Sequence, residues 1–339
     1  MKRICILALI LCGYFVSVAW GQQSATITHT NWAQFHRHDM HRFNPYERVL
    51  NVNNVGSLQL KWSYNTGSQI VSSPAMANGV IYIGVWDGTV YALNAGTGTL
   101  LWSYNTGGVA SSPAVANGVV YVGSFDGNVY ALKASTGTLL WSYNTTAFIG
   151  YSSPAVVNGV VYIGSDDNTV YALNASTGAL LWSYKTAGGL WSDSPAVANG
   201  VVYFGSTDDN VYALNASTGA LLWSYTTGSI VWSSPAVAHG VVYVGSQDDN
   251  VYALNASTGA KRWSYNTGGG VGSSPAVANG VVYVSSFEGN VYALKASTGA
   301  KLWSYTVGGS PQTSSSPAVV NGVVYVGSWD GKVYAFGLP

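Results

Sequence analysis

The sequence has almost no cysteine and very little charge. Its 339 residues include only two cysteines, Cys5 and Cys12, both close to the N-terminus. The rest of the chain therefore cannot form a disulfide, supply a thiolate nucleophile or bind a metal through sulfur. Charged residues make up 8% of the chain, with 13 basic and 13 acidic residues. This balance lacks the basic excess of a nucleic-acid-binding protein, so nucleic acid is not an expected partner.

The N-terminal segment has the layout of a secretory signal peptide. Two basic residues precede an apolar run at residues 4–18, and Ala-Trp-Gly follows at 19–21. The run is shorter than the roughly 20 residues of a membrane-spanning helix. Cys12 follows Leu-Ile-Leu, without the small residue expected before a lipidated cysteine, so we do not expect a lipoprotein. We predict a signal peptide at residues 1–21 and a periplasmic or secreted mature protein.

Glycine, tyrosine and tryptophan are abundant instead, and they recur in a repeat of about 40 residues. The triplet Trp-Ser-Tyr occurs seven times, and Ser-Pro-Ala also occurs seven times. The tryptophans of the triplet are Trp62, Trp102, Trp141, Trp182, Trp223, Trp263 and Trp303. The prolines of Ser-Pro-Ala are Pro74, Pro113, Pro154, Pro195, Pro235, Pro275 and Pro317.

The pattern of each repeat predicts four short antiparallel strands. In one repeat, residues 111–117 and 118–124 flank an Asn-Gly turn, an Asp-Gly turn precedes Asn-Val-Tyr-Ala-Leu, and a Ser-Thr-Gly turn precedes the segment with Trp141. Asn-Gly and Asp-Gly favour tight hairpins. Four such strands every 40 residues or so are typical of a β-propeller blade. We therefore predict an all-β, seven-bladed β-propeller at residues 58–339, preceded by an N-terminal strap at residues 22–57.

The two ends of the repeat region complement each other. The last repeat reaches Phe336 without a fourth strand, whereas the first Trp-Ser-Tyr, at residues 62–64, has no three strands before it. We expect the N-terminal strand to complete the last blade and close the ring, which would protect the strand edges.

The third turn of the repeat carries a family resemblance. Ala213-Leu214-Asn215-Ala216-Ser217-Thr218-Gly219 followed by Trp223 is similar to the tryptophan-docking motif of pyrroloquinoline-quinone (PQQ) repeat propellers. The resemblance covers nearly all of the predicted mature chain, with asparagine or lysine at the acidic position of the motif. It implies that the seven tryptophans pack between neighbouring blades.

The predicted strap contains a histidine cluster. His36, His38, Asp39 and His41 have side chains that commonly bind metals. In a second interpretation these groups tie down loops of the strap, and we favour it over a metal site.

The resemblance also implies two possible functions, because PQQ-dependent alcohol and sugar dehydrogenases share this architecture. Those enzymes have eight blades and an axial pocket for PQQ and calcium, built from unlike blades. The present chain has seven near-identical repeats, and only Asp193 replaces the first serine of Ser-Ser-Pro-Ala with a carboxylate. A catalytic base needs a specific environment, which identical blades do not provide.

The repeats differ mainly at one end of the blades. The turns between strands one and two and between strands three and four barely change; we call that end the repeated face. The blade connections and the turns between strands two and three vary, and we call their end the variable face. Its aromatic residues, the candidate binding residues, are Trp86, Phe125, Phe148, Tyr151, Trp191, Trp232, Phe287 and Trp329. Its acidic residues are Asp87, Asp126, Asp166, Asp167, Asp208, Asp209, Asp248, Asp249, Glu288 and Asp330.

Two functional hypotheses follow. In the first, an exported, monomeric, non-catalytic scaffold binds a protein or carbohydrate ligand in the cell envelope through the aromatic, acidic variable face, without a cofactor. The acids also have a simpler interpretation as good turn residues. In the second, the chain is a PQQ-dependent dehydrogenase or a PQQ-binding protein with calcium. A third interpretation is a recently amplified repeat with little specialised function.

Overall fold

A computed structural model describes residues 59–190, 192–307, 316–320, 323–327 and 333–338. The predicted signal peptide, the strap and the histidine cluster of His36, His38 and His41 lie outside these residues. The described part of the chain contains 27 β-strands in seven sheets. It provides no helix that could cross a membrane.

The first three sheets each have four strands in sequence order. The first contains β1 to β4, at Ala75–Ala77, Val80–Gly84, Thr89–Asn94 and Leu100–Asn105. The second contains β5 to β8, at Ala114–Ala116, Val119–Gly123, Asn128–Lys133 and Leu139–Asn144. The third contains β9 to β12, at Ala155–Val157, Val160–Ser165, Thr169–Asn174 and Leu180–Lys185.

The remaining sheets repeat this plan. The fourth contains β13 to β16, at Ala196–Ala198, Val201–Gly205, Asn210–Asn215 and Leu221–Thr226. The fifth contains β17 to β20, at Ala236–Ala238, Val241–Gly245, Asn250–Asn255 and Lys261–Asn266. The sixth contains β21 to β24, at Ala276–Ala278, Val281–Ser285, Asn290–Lys295 and Lys301–Thr306. The seventh has three described strands, β25 to β27, at Ala318–Val320, Val323–Gly327 and Val333–Phe336.

All pairings within the sheets are antiparallel, and the first strand of each sheet lies beside the first strand of the next, from β1 to β25. This arrangement is an all-β, seven-bladed β-propeller, so that part of the predicted fold class is confirmed. Residues 59–74 form no strand, and closure by the N-terminal strand is not shown.

Local sequence explains the hairpins. Asn117 and Gly118, between β5 and β6, have φ angles of 50° and 75°, as a two-residue turn with two left-handed residues requires. The Asp-Gly turn differs from that expectation. Gly127 has a φ of 83°, but Asp126 is not left-handed, and the hairpin is closed by Ser124 N–H donating to Asn128 O.

The blades are held together by a tryptophan and a tyrosine that reach the same carbonyl. Trp182 Nε1 and Tyr162 Oη, both in the third blade, donate to Ala216 O in the fourth blade at 2.9 and 3.0 Å. The same pairing recurs four more times, on Ala134 O, Ala175 O, Ala256 O and Ala296 O. Both lone pairs of each carbonyl are thus used across a blade interface.

Glycine permits this close contact. Gly219 has a φ of 70°, and a Cβ placed there would lie 2.7 Å from the indole of Trp182. The Thr-Gly of each turn therefore gives the neighbouring indole a flat surface to pack on.

Trp303 does not have this environment. Its side chain is 37% exposed, against 8% for Trp182, and its ring meets Phe336 edge-on at 4.8 Å. Phe336 stands where the other six repeats have leucine.

Replacing a docked tryptophan should be far more costly than replacing the exposed one. Trp182→Ala should lower the free energy of unfolding by about 3–5 kcal/mol, because a large buried aromatic and a hydrogen bond are lost. Trp303→Ala should cost less than half as much. Urea unfolding followed by circular dichroism measures both, and equal losses would contradict the docking role.

Candidate functional site

The variable face presents several aromatic side chains to solvent. The exposed fractions are 44% for Trp86, 62% for Phe148 and 38% for Tyr151. Phe125, Trp232 and Phe287 are half-buried. Trp191 and Trp329 lie outside the described residues. The exposed aromatics come from the first three blades and their connections, so they occupy one sector of the face.

Backbone hydrogen bonds tie the two variable sets of loops together. Trp86 N–H donates to Gln69 O, and Phe125 N–H donates to Gly108 O, at 3.0 and 2.8 Å. Each turn between strands two and three is thus fixed to the blade connection beside it. The rings of Trp86 and Phe125 meet edge-on at 5.0 Å, a favourable aromatic geometry. The side chains of these loops therefore differ between blades, whereas the backbone hydrogen bond from turn to connection is kept.

A different pair covers the connection between the fifth and sixth blades. A Cβ on Gly270 would lie 2.5 Å from Gln247 Oε1 and 3.1 Å from Phe287 Cδ2. Gln247 Nε2 is buried and donates no hydrogen bond to any of the described residues. Sequence reasoning missed Gln247, since one amide at a position that varies from blade to blade gives no pattern to find.

Several acidic residues of the variable face accept hydrogen bonds within their own turns. Asp126 Oδ1 accepts from Asn128 N–H at 2.9 Å, and Asp126 Oδ2 accepts from Tyr130 Oη at 2.6 Å. Burial alone would raise the pKa of Asp126, but the hydrogen bonds from Tyr130, Asn128 and Ser124 together hold it below its ordinary value.

The same arrangement recurs in later blades and extends between them. Asp248 Oδ2 accepts from Tyr252 Oη at 2.6 Å and from Gly228 N–H of the preceding connection at 2.6 Å. Asp208 Oδ2 accepts from Tyr212 Oη at 2.9 Å and also from two connection N–H groups. The carboxylates of Asp208 and Asp248 therefore fasten turns to connections.

Around the axis, serine hydroxyls link successive blades. In the first six blades the serine before the proline of Ser-Pro-Ala donates its N–H to the hydroxyl oxygen of the corresponding serine in the next blade. The six links, at 2.9–3.1 Å, join Ser73, Ser112, Ser153, Ser194, Ser234, Ser274 and Ser316 in order. The serines near the start of each first strand thus satisfy one another in a continuous series of hydrogen bonds.

The first serine of Ser-Ser-Pro-Ala is fastened inside its own blade. Ser111 Oγ accepts from Gly123 N–H at 2.8 Å and donates to Gly123 O at 3.0 Å. Ser72 and Ser273 do the same with Gly84 and Ser285. A hydroxyl suits this place because it both donates and accepts.

Asp193 occupies the same place in the fourth blade, and a carboxylate fits it poorly. Its Oδ2 accepts from Gly205 N–H at 2.8 Å, but none of the described residues donates to its buried Oδ1. The side chain is only 2% exposed. Burial raises the pKa of Asp193 well above the ordinary value, against the smaller opposite effect of the Gly205 hydrogen bond.

The oxygen atoms available near the axis do not match the ligands of a calcium–quinone site. Calcium requires six to eight oxygen ligands, including charged carboxylates. No three His, Cys, Asp or Glu side chains lie close enough to hold a metal within the described ranges. Near the axis the described groups are serine hydroxyls engaged with backbone and the single carboxyl of Asp193.

Replacing Asp193 should remove a pH-dependent loss of stability. The folded protein keeps a proton on Asp193 that the unfolded chain releases above about pH 4. The free energy of unfolding should therefore fall as the pH rises from there toward the raised pKa. Asp193→Ser should be more stable than the parent by about 1–3 kcal/mol at neutral pH, with a gain that disappears toward pH 4.

Urea unfolding at a series of pH values measures this difference, and Ser233→Asp is the matched control. That variant should acquire the same pH dependence in the fifth blade. Parallel stability curves for Asp193→Ser and the parent would show that Asp193 does not titrate as the geometry indicates.

Known proteins match this chain at three levels. The family model described as outer membrane protein assembly factor BamB matches residues 57–150, 149–234 and 226–338. Over 80 residues the chain is 36% identical to the dehydrogenase subunit of an alcohol dehydrogenase (quinone) from Gluconobacter oxydans (strain 621H), covering 22% of this chain and 10% of that protein. Over 99 residues it is 35% identical to lupanine 17-hydroxylase [cytochrome c] from a Pseudomonas species, covering 26% of this chain and 14% of that protein. The chain thus spans a small fraction of these two relatives.

Solved structures share the fold at low identity. BamB from Moraxella catarrhalis superposes with a TM-score of 0.71 at 22% identity, covering 82% of this chain and 88% of that one. A europium-containing methanol dehydrogenase superposes with a TM-score of 0.74 at 16% identity, covering 91% and 86%. The computationally designed Ika8 protein superposes with a TM-score of 0.70 at 21% identity, covering 79% of this chain and 83% of that one. Since the family model matches nearly all of the repeat region, this chain, with its PQQ-like repeats, belongs to the family of the outer membrane protein assembly factor BamB.

Proposed function

We propose that this protein is a non-catalytic, monomeric scaffold of the cell envelope that binds a protein partner through the variable face. The observation that carries the proposal is the exposure of Trp86, Phe148 and Tyr151 on the one face where the repeats differ. Aromatic side chains give large contact area for little loss of conformational entropy, and they dominate the binding energy of many interfaces.

The rest of the face supports this role. The Asp126, Asp208 and Asp248 carboxylates hold the turns in place, so the aromatic groups sit on a rigid base. A preorganised surface loses little entropy on binding. The family is that of an outer membrane protein assembly factor, which fits an exported chain with protein partners. A predicted signal peptide at residues 1–21 would deliver it there.

A PQQ-dependent dehydrogenase is the second candidate function. The matched segments of the quinone alcohol dehydrogenase subunit and of lupanine 17-hydroxylase favour it, as does the lone axial carboxyl of Asp193. The groups around the axis argue against it, because among the described residues Asp193 belongs to no group of three or more His, Cys, Asp or Glu that could hold a metal. The scaffold role therefore fits the described residues better.

Removing the exposed aromatic side chains should weaken partner binding. A partner captured from envelope extract and then purified should bind Trp86→Ala and Phe148→Ala each about 2 kcal/mol more weakly in calorimetry, as expected for central aromatic contacts. Leu222→Ala is the control, since this residue is 50% exposed but lies on β16 at the opposite end of its blade.

Two outcomes would contradict the scaffold role. One is unchanged affinity of both aromatic variants for every purified partner. The other is stoichiometric binding of PQQ and Ca²⁺ with dye-linked oxidation of an alcohol or a sugar, which would establish the dehydrogenase. Binding of a glycan array in place of any protein would make the ligand a carbohydrate.

Closure of the ring by the N-terminal strand is part of the proposal. Trp62 Nε1 donates to Ala95 O in the first blade at 3.0 Å, and Tyr64 lies 5.7 Å from Tyr91. These contacts match those that Trp102 and Tyr104 of the first blade make with the second. These contacts support the proposal that residues 59–67 take the place of the outer strand of the seventh blade.

A disulfide test checks closure, and the protein without residues 1–21 is used because its sequence contains no other cysteine. In the first blade Ser103 is the strand partner of Tyr91, so closure makes Ser63 the partner of Tyr334. The double variant Ser63→Cys and Tyr334→Cys should form a disulfide under mild oxidation, seen by electrophoresis. Ser63→Cys with Tyr292→Cys should not, and equal cross-linking of the two pairs would argue against closure.

A further inference from the structure

The two faces of the propeller carry opposite charge. All ten described acidic residues lie at the variable face or at the strand ends next to it: Asp87, Asp126, Asp166, Asp167, Asp193, Asp208, Asp209, Asp248, Asp249 and Glu288. Five of the seven described basic residues lie at the repeated face. Lys133 and Lys295 end β7 and β23 at the turn between strands three and four, and Lys261, Arg262 and Lys301 begin β20 and β24 after that turn.

The outer rim of the repeated face is apolar over the first four blades. Each of these blades begins its outer strand with two leucines, which are 42–50% exposed. These are Leu100, Leu101, Leu139, Leu140, Leu180, Leu181, Leu221 and Leu222. Isolated exposed leucines are ordinary, but a continuous series of eight is a surface feature.

A β-bulge in each blade places both leucines on this rim. Ala92 pairs with Trp102 and Leu93 with Leu100, so Leu101 is the extra residue of the outer strand. The same register shift occurs in the other three blades of this arc. Bulges interrupt strand pairing at a sheet edge, so this rim is poorly suited to adding another strand.

The apolar and basic parts of the rim adjoin. The fifth blade has Lys261 and Arg262 where the first four have leucines, and the sixth has Lys301 and the 56% exposed Leu302. The rim is thus leucine over four blades and basic over the next two. Insertable apolar side chains next to Lys and Arg are the features that attach proteins to anionic lipid surfaces.

From this arrangement we infer that the repeated face docks on an anionic lipid bilayer, with the leucines in the interfacial region and the basic residues at the headgroups. The inference is independent of the partner bound by the variable face. Leucine pairs repeated over four successive blades define no unique register for a protein epitope, whereas a bilayer is laterally uniform and requires none. Two repeated faces of this chain would repel through their basic residues.

Docking in this orientation has a consequence for the opposite face. The acidic variable face would point away from the lipid headgroups, which repel it. The charge separation therefore orients the disc, and the aromatic residues Trp86, Phe148 and Tyr151 stay available to a partner in the aqueous space.

Vesicle binding tests the inference. Full-length mature protein is mixed with vesicles of phosphatidylcholine and phosphatidylglycerol, or of phosphatidylcholine alone, and sedimented. We expect binding to the anionic vesicles that weakens with added salt. The triple variant Lys261→Gln, Arg262→Gln, Lys301→Gln should bind on the order of a hundredfold more weakly, since each basic residue near such a surface contributes about fivefold.

The leucines are tested with a matched pair of variants. Leu140→Gln with Leu181→Gln should lower vesicle affinity at least tenfold, because partly inserted apolar groups are lost. Ser142→Gln with Ser183→Gln, at exposed positions farther along the same outer strands, should leave it unchanged. Thermal unfolding by circular dichroism checks that each variant is folded.

Three results would overturn the inference. They are no preference for anionic vesicles, equal affinity of the leucine and serine variants, and loss of vesicle binding with Trp86→Ala instead of the repeated-face variants. Self-association that buries the rim and abolishes vesicle binding, seen by light scattering, would assign the surface to a second copy of the chain.

Discussion

The structure depends on one contact between neighbouring blades. A tryptophan from the outer strand and a tyrosine from the second strand of one blade converge on a single alanine carbonyl in the next, as Trp182 and Tyr162 do on Ala216. A four-stranded blade has two apolar faces and cannot bury them alone. The tryptophan supplies much of the missing contact area, and the shared carbonyl fixes its position. Most of the stabilisation comes from packing, since a single hydrogen bond contributes only about 1 kcal/mol.

This contact explains why variation is confined to one face. The accepting alanine lies in the turn between strands three and four, together with the glycine on which the indole packs. Those turns cannot change without loosening a blade interface. The blade connections and the turns between strands two and three carry no such contact, and backbone hydrogen bonds such as Phe125 to Gly108 hold them in place with many different side chains. The variable face is therefore free to acquire binding residues.

The same constraint leaves two kinds of surface on one disc. The variable face combines exposed aromatic groups with carboxylates that fasten its turns. The repeated face combines bulge leucines with lysine and arginine. Between them, the axial serines satisfy one another, and Asp193 is the one carboxyl in their place. Such a layout suits a scaffold that holds a partner on one side and rests on a surface with the other.

The sequence determined the architecture because the repeat period, the Asn-Gly turns and the Trp-Ser-Tyr spacing are local signals that every blade repeats. It also located the variable face, since comparing the repeats with one another identifies the loops that change. The second donor to each alanine carbonyl, the links between axial serines and the exposure of Trp303 could not be read from it. The first two features join residues 39 to 54 positions apart, and only packing of blade on blade decides which groups meet. The separation of acidic and basic residues onto opposite faces likewise depends on where the turns lie in three dimensions. Chemistry repeated along the chain fixed the blades, and their assembly around an axis decided what each surface presents.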